Sequence, residues 1–128
     1  MNNDFEKKIR LSLLNLLKDN PQMTQREMNR QMGISLGKVN YCLTKLSEKG
    51  MIKAERFKKS NNKSAYMYRL TPQGFEEITK LTCRFLKQKI KEYDAIKKEI
   101  KNLSESLYEI DPELPEIPEL KKQLNRIK

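Results

Sequence analysis

The chain has 128 residues, 37% apolar and 34% charged, with a net charge of +10, two cysteines and no histidine. That length fits one ordinary domain, or a small domain with an appendage. Two cysteines make no disulfide framework, and without histidine the usual zinc ligand sets and a histidine acid–base pair are out of reach. No Gly-rich phosphate loop or nucleophile motif occurs, so neither an enzyme nor a cofactor or metal site is expected. The longest apolar run, "LSLLNLL" at 11–17, is broken by Ser12 and Asn15 and is too short for a bilayer. The start, "MNNDFEKK", has no signal-peptide layout, which suggests a cytoplasmic protein without a membrane partner. Residues 1–74 hold fifteen Lys/Arg against six Asp/Glu, and residues 75–128 hold twelve against eleven. The basicity therefore belongs to the first part, as expected if that part meets a polyanion.

The first predicted helix runs from about Asp4 to Lys18, with Phe5, Ile9, Leu13, Leu16 and Leu17 at helical intervals. Asn3 and Glu6 have capping-box spacing, and Asn20-Pro21 stops the helix. A second start follows in "MTQREMNRQMG", where Thr24 and Glu27 form a full capping box and Met28 and Met32 point inward. Gly33 ends this short helix in a left-handed cap, Ile34 packs under the turn, and Ser35 caps the next helix.

That third helix spans roughly 36–49, with Val39, Leu43 and Leu46 on one face. "MIKAERF" (51–57) and "AYMYRLT" (65–71) then alternate with period two around the polar turn "KKSNNKS", a hairpin pattern. Helix, helix, turn, helix, hairpin is a winged helix-turn-helix. The fold class is mainly α with a small β-hairpin, and the domain covers residues 1–74.

In such a motif the second helix of the pair enters the major groove. The candidate base-reading set is Ser35, Leu36, Gly37, Lys38, Asn40, Tyr41, Thr44 and Lys45. Asn40 can pair bidentately with adenine, and a lysine can donate to guanine or phosphate. Lys38 sits where the helix dipole favours an acid, a local conflict that suggests function. The wing offers Arg56, Lys58, Lys59, Asn61, Asn62 and Lys63 for phosphates or a minor groove. Thr24, Gln25 and Arg26, at the start of the second helix, form a candidate phosphate clamp. Cys42 is expected to be a half-buried packing residue, with redox sensing as the alternative, and Cys83 is read the same way.

"TPQGFEE" opens a long helix, with Thr71 as cap and Pro72 in the first helical position. An apolar stripe then recurs at the coiled-coil period from Phe75 to Ile110, slipping around 85/86 and 93–96, a pattern compatible with a kink or a break into two helices. A single helix over 72–110 would be about 58 Å long, more than the small domain can cover. Phe85, Ile90, Tyr93, Ile96, Ile100, Leu103, Leu107 and Ile110, within an element at 75–111, are therefore assigned to a homodimer interface, with folding back on the first helix as the alternative. Residues 112–128 are read as an extended, Pro-rich acidic segment followed by a short helix with Leu120, Leu124 and Ile127 on one side.

"MTQREMNRQMGISLGKVNYCLTKLSEKGMIKAERF" followed by "YMYRLTPQG" resembles the MarR-type winged-helix transcriptional regulators. The Leu70-Thr71-Pro72-Gln73-Gly74 run recurs in that group. A closer likeness is to a MarR-like subgroup associated with exopolysaccharide synthesis loci, whose members carry a lysine-rich helix like "LTCRFLKQKIKEYDAIKKEI". The resemblance covers about residues 5–100. It implies a homodimer on a pseudo-palindromic double-stranded DNA operator, controlling neighbouring genes. The wing lacks the Asp-Xaa-Arg of full MarR proteins, and the extra N-terminal helix that helps build their dimer and effector pocket is not expected in this sequence, so the resemblance does not support a small-molecule effector. The competing reading is a protein-interaction winged-helix and coiled-coil module that does not bind DNA.

Overall fold

The computed structural model describes residues 3–58 and 64–127. Two compact units divide the chain, Met1–Arg84 and Phe85–Lys128.

The first unit opens with α1 (Asn3–Asp19), α2 (Gln25–Met32) and α3 (Leu36–Glu48). Leu13, Leu14, Leu17, Met28 and Val39 are fully buried between them. Each such side chain contributes about 1.5–3 kcal/mol by leaving water. The buried face of α1 begins at Ile9, and Phe5 is 51% exposed, contrary to its place in the predicted stripe. Phe5 instead edges a surface cleft with Met32 and Ile34. The Asn3 side chain of the predicted capping box lies outside the described residues, while the Glu6 carboxylate pairs with Lys38 of α3.

The α2–α3 turn follows the predicted cap chemistry. Thr24 Oγ1 accepts from the Glu27 N–H at 3.1 Å, and Ser35 Oγ accepts from the Lys38 N–H at 3.0 Å. Gly33 takes φ 67°, the left-handed region that lets the chain leave α2 without a Cβ penalty. Asn29 Nδ2 donates to the Ile34 carbonyl and closes the turn.

Strands β1 (Ile52–Lys58) and β2 (Ser64–Leu70) pair antiparallel, from Ile52 opposite Leu70 to Lys58 opposite Ser64. Ile52 and Tyr68 face the helical core. The Tyr68 N–H donates to the Pro21 carbonyl at 2.9 Å, tying the hairpin to the α1–α2 loop.

Helix α4 (Pro72–Ile110) starts against this core. Thr71 Oγ1 accepts from the Gly74 N–H at 3.2 Å and donates to the Gly50 carbonyl at 2.5 Å, so one hydroxyl caps α4 and holds the end of the α3–β1 turn. Arg10 pairs with Glu77 at 2.7 Å and Arg84 with Asp4 at 3.2 Å, joining α1 to the first turns of α4.

In the second unit α4 runs on to Ile110 without a break, so the slips in the apolar rhythm do not interrupt the helix. The Pro-rich segment is not extended. Hydrogen bonds from the Leu114 N–H to the Asp111 carbonyl and from the Ile117 N–H to the Leu114 carbonyl fold it into turns. Pro118 then lies in the first turn of α5 (Ile117–Asn125), where its missing N–H costs nothing. Helix α5 returns along α4: Ile117 is buried, and Tyr93 Oη donates to the Ile127 carbonyl at 3.2 Å.

Candidate nucleic-acid interface

Helix α3 has two chemically distinct faces. Val39, Cys42, Leu43 and Leu46 lie in the core, while Leu36, Gly37, Asn40, Tyr41, Thr44 and Lys45 are exposed. At 100° per residue these sets fall on opposite sides, so burial of the first presents the second.

Lys38 lies between the faces, and its position near the positive helix end is compensated from another element. Its Nζ is 2.8 Å from Glu6 Oε1 of α1. The hydrogen bond that Lys38 Nζ donates to Glu6 is the largest cause raising the lysine pKa above its ordinary 10.5. The local conflict read from the sequence thus has a structural partner. Lys38 and Lys45 flank the Tyr41 ring, with ammonium groups 5.2 and 5.7 Å from its centroid. Lys45 also lies 3.7 Å from Glu48.

The polar residues around this helix are linked to one another. Gln25 Nε2 reaches Tyr68 Oη at 3.1 Å and Asn40 Oδ1 at 3.4 Å, joining α2, α3 and β2. Thr44 Oγ1 donates to the Asn40 carbonyl at 2.9 Å. Thr24 is occupied as a helix cap, and Arg26 is exposed beside it. Ser35 likewise serves as a cap.

On the wing, Arg56 is exposed and pairs across the hairpin with Tyr66. Lys58 closes β1, and its side chain, with Lys59, Asn61, Asn62 and Lys63, lies outside the described residues. Sequence reasoning missed Glu6 and Tyr66. Strand register was the only signal for Tyr66, and nothing local pointed to Glu6.

Cys42 is 8% exposed, more deeply buried than expected, because α3 turns that flank fully into the core. Burial pushes its thiol pKa above the ordinary 9.0, partly opposed by Lys38. Cys83 is exposed rather than a packing residue. Among the described residues no cluster of three or more His, Cys, Asp or Glu could hold a metal, and no helix is long and apolar enough to cross a membrane.

Of the residues assigned to a dimer interface, Ile90, Tyr93, Ile96, Leu103 and Ile110 are exposed, while Phe85, Ile100 and Leu107 are half-buried. Ile100 and Leu107 line a cleft shared with Ile117 and Leu124 of α5. Part of the distal stripe therefore has a partner within the same chain.

Residues 6–53 match the winged helix-turn-helix DNA-binding family. The first unit is a winged helix-turn-helix. The same winged helix-turn-helix architecture appears in a MarR protein from Peptoclostridium difficile, at 14% identity and TM-score 0.57 over 93% of this chain and 73% of that one. The PcaV transcriptional regulator from Streptomyces coelicolor is similar at 17% identity and TM-score 0.55 over 77% of each chain. PcaV in complex with its natural ligand aligns at 20% identity and TM-score 0.53 over 61% of this chain and 54% of that one, so this chain spans little more than half of that relative. The winged helix-turn-helix with its long following helix is thus MarR-like in fold. No curated protein sequence matches the chain.

Proposed function

We propose that the protein is a DNA-binding transcription regulator of MarR-like type, acting as a homodimer. The observation that carries this reading is the exposed polar face of α3 in the basic part of the chain, followed by a hairpin on which Arg56 is exposed. Leu36, Gly37, Asn40, Tyr41, Thr44 and Lys45 would meet base edges and adjoining phosphates. Lys38 would do so after leaving Glu6. Arg56 and the wing lysines would meet the backbone, and Arg26 a phosphate beside the start of α2.

The exposed apolar residues of α4, from Ile90 to Ile110, support a second copy as their cover. A two-fold dimer would place two α3 helices on half-sites one helical turn, or a multiple of it, apart. The extension to exopolysaccharide genes rests on the sequence resemblance of the domain and its lysine-rich helix.

The test is a binding titration against the DNA upstream of the protein's own gene, with excess competitor and several salt concentrations. Competitor-resistant binding, with log affinity falling by about 0.9 per neutralised phosphate per decade of salt, supports the regulator. Absence of binding at low salt overturns it and favours the protein-interaction module.

A further inference from the structure

The cations of the first unit differ in what holds them. Lys38, Lys45 and Arg69 each lie within 4 Å of a carboxylate, from Glu6, Glu48 and Glu55 respectively. Arg56 is held by a neutral group. Its Nε donates to Tyr66 Oη at 3.2 Å, and its guanidinium carbon lies 5.4 Å from the centroid of the Tyr66 ring. Among the described residues its charge is therefore not paired with a carboxylate, while its stem and head are steered by one aromatic side chain.

That aromatic is itself anchored. Tyr66 stands directly opposite Arg56 in the β-ladder and stacks on Tyr68, with ring centroids 6.4 Å apart and an interplanar angle of 26°. Tyr68 is buried and bound to Gln25 through its hydroxyl and to the Pro21 carbonyl through its N–H. A continuous set of contacts thus runs from the helical core to an exposed guanidinium on the wing. With Nε engaged, the two terminal nitrogens still form a fork that fits phosphate oxygens.

We infer that Tyr66 is a positioning residue for DNA binding, holding Arg56 pre-oriented and uncompensated so that its guanidinium meets the DNA backbone beside α3. This rests on the DNA-binding reading given above. Pre-orientation matters because a free arginine loses much rotamer freedom when it binds a phosphate. A neutral partner supplies the orientation without subtracting charge, which a carboxylate at the same place would do.

The test is a double-mutant cycle with Tyr66→Ala and Arg56→Gln, using a fluorescent duplex of the upstream DNA and a mixed-sequence duplex across a salt series. Arg56→Gln should flatten the slope of log affinity against log salt by about 0.9. Tyr66→Ala should weaken binding by about two- to fivefold, the scale of an exposed cation–π contact, with the slope retained. Tyr66→Phe, which keeps the ring, should recover much of that loss. In the Arg56→Gln background Tyr66→Ala should have no further effect. An equal loss in both backgrounds overturns the inference, since Tyr66 would then touch DNA itself or merely support the hairpin. Binding of neither duplex by the wild-type protein overturns the DNA-binding reading and this inference with it.

Discussion

Gly74, in the first turn of α4, lies so close to the carbonyl oxygen of Met51 that a methyl group at its Cα would strike the backbone. This contact gives the Leu70-Thr71-Pro72-Gln73-Gly74 run a physical meaning. Thr71 caps the helix and holds Gly50, Pro72 occupies a position needing no donor, and Gly74 lets α4 start against the α3–β1 turn. In an open helix Gly→Ala gains about 1 kcal/mol. Here the obstacle is backbone, which cannot rotate away, so Gly74→Ala should instead destabilise the fold by about 1–3 kcal/mol, the scale of overpacking. Urea unfolding of the variant beside the wild type measures it.

Gly37 provides the opposite case. It is exposed on α3, and nothing lies within 4 Å of where a Cβ would be. Gly37→Ala should therefore stabilise the protein by up to about 1 kcal/mol. If α3 enters the major groove, the added methyl should at the same time lower DNA affinity. A variant with a higher melting temperature and weaker DNA binding would separate the two roles.

The two cysteines should differ sharply in reactivity. Cys83 is exposed, whereas Cys42 is buried with its thiol pKa raised by desolvation. At pH 8, alkylation in the folded protein should go to Cys83 first, and Cys42 should react only as the protein opens. Mass spectrometry of a labelling time course reads this directly. A raised folded pKa also fixes the sign of the pH effect. The unfolded thiol ionises first, so the contribution of Cys42 to stability is intact below pH 9 and falls as pH rises past it. Lys38 acts in the same direction, from above its ordinary 10.5. Denaturation at pH 7 and pH 10 should show a smaller difference in Cys42→Ala than in the wild type.

Asn40 is exposed on α3, and its side-chain oxygen accepts from Gln25 Nε2 at 3.4 Å. Asn40→Ala should cost about 1–3 kcal/mol of specific DNA affinity and relax discrimination at one operator position. Equal loss on every sequence would assign Asn40 to the backbone instead.

Leu103 and Ile110 are 71% and 80% exposed on α4. Leu103→Asp with Ile110→Asp should give monomers by light scattering with helix content unchanged. A mass equal to that of the wild-type protein would show that these residues do not hold a dimer.

Much of the winged domain was legible in the linear chain because its signals are local. Caps at Thr24, Ser35 and Thr71, the left-handed turn at Gly33 and the period of Val39, Leu43 and Leu46 each act within a few residues. The amphipathicity of α3 follows from the same logic, so the exposed set from Leu36 to Lys45 could be named in advance. The continuity of α4 and the return of α5 could not, since both depend on which apolar residues find cover. A stripe on one helix specifies that a partner is needed, but not which. Ion pairing was equally hidden. Glu6 and Lys38 are 32 residues apart and meet only because α1 packs beside α3, which turns a lysine that breaks a helix rule into half of a surface pair. Arg56 found Tyr66 only through the strand register. Sequence by itself determined the elements and their buried faces, because hydrogen bonding and helix periodicity are short-range. Tertiary packing alone decided which charges stayed uncompensated at the surface, because that depends on side chains brought together across the fold.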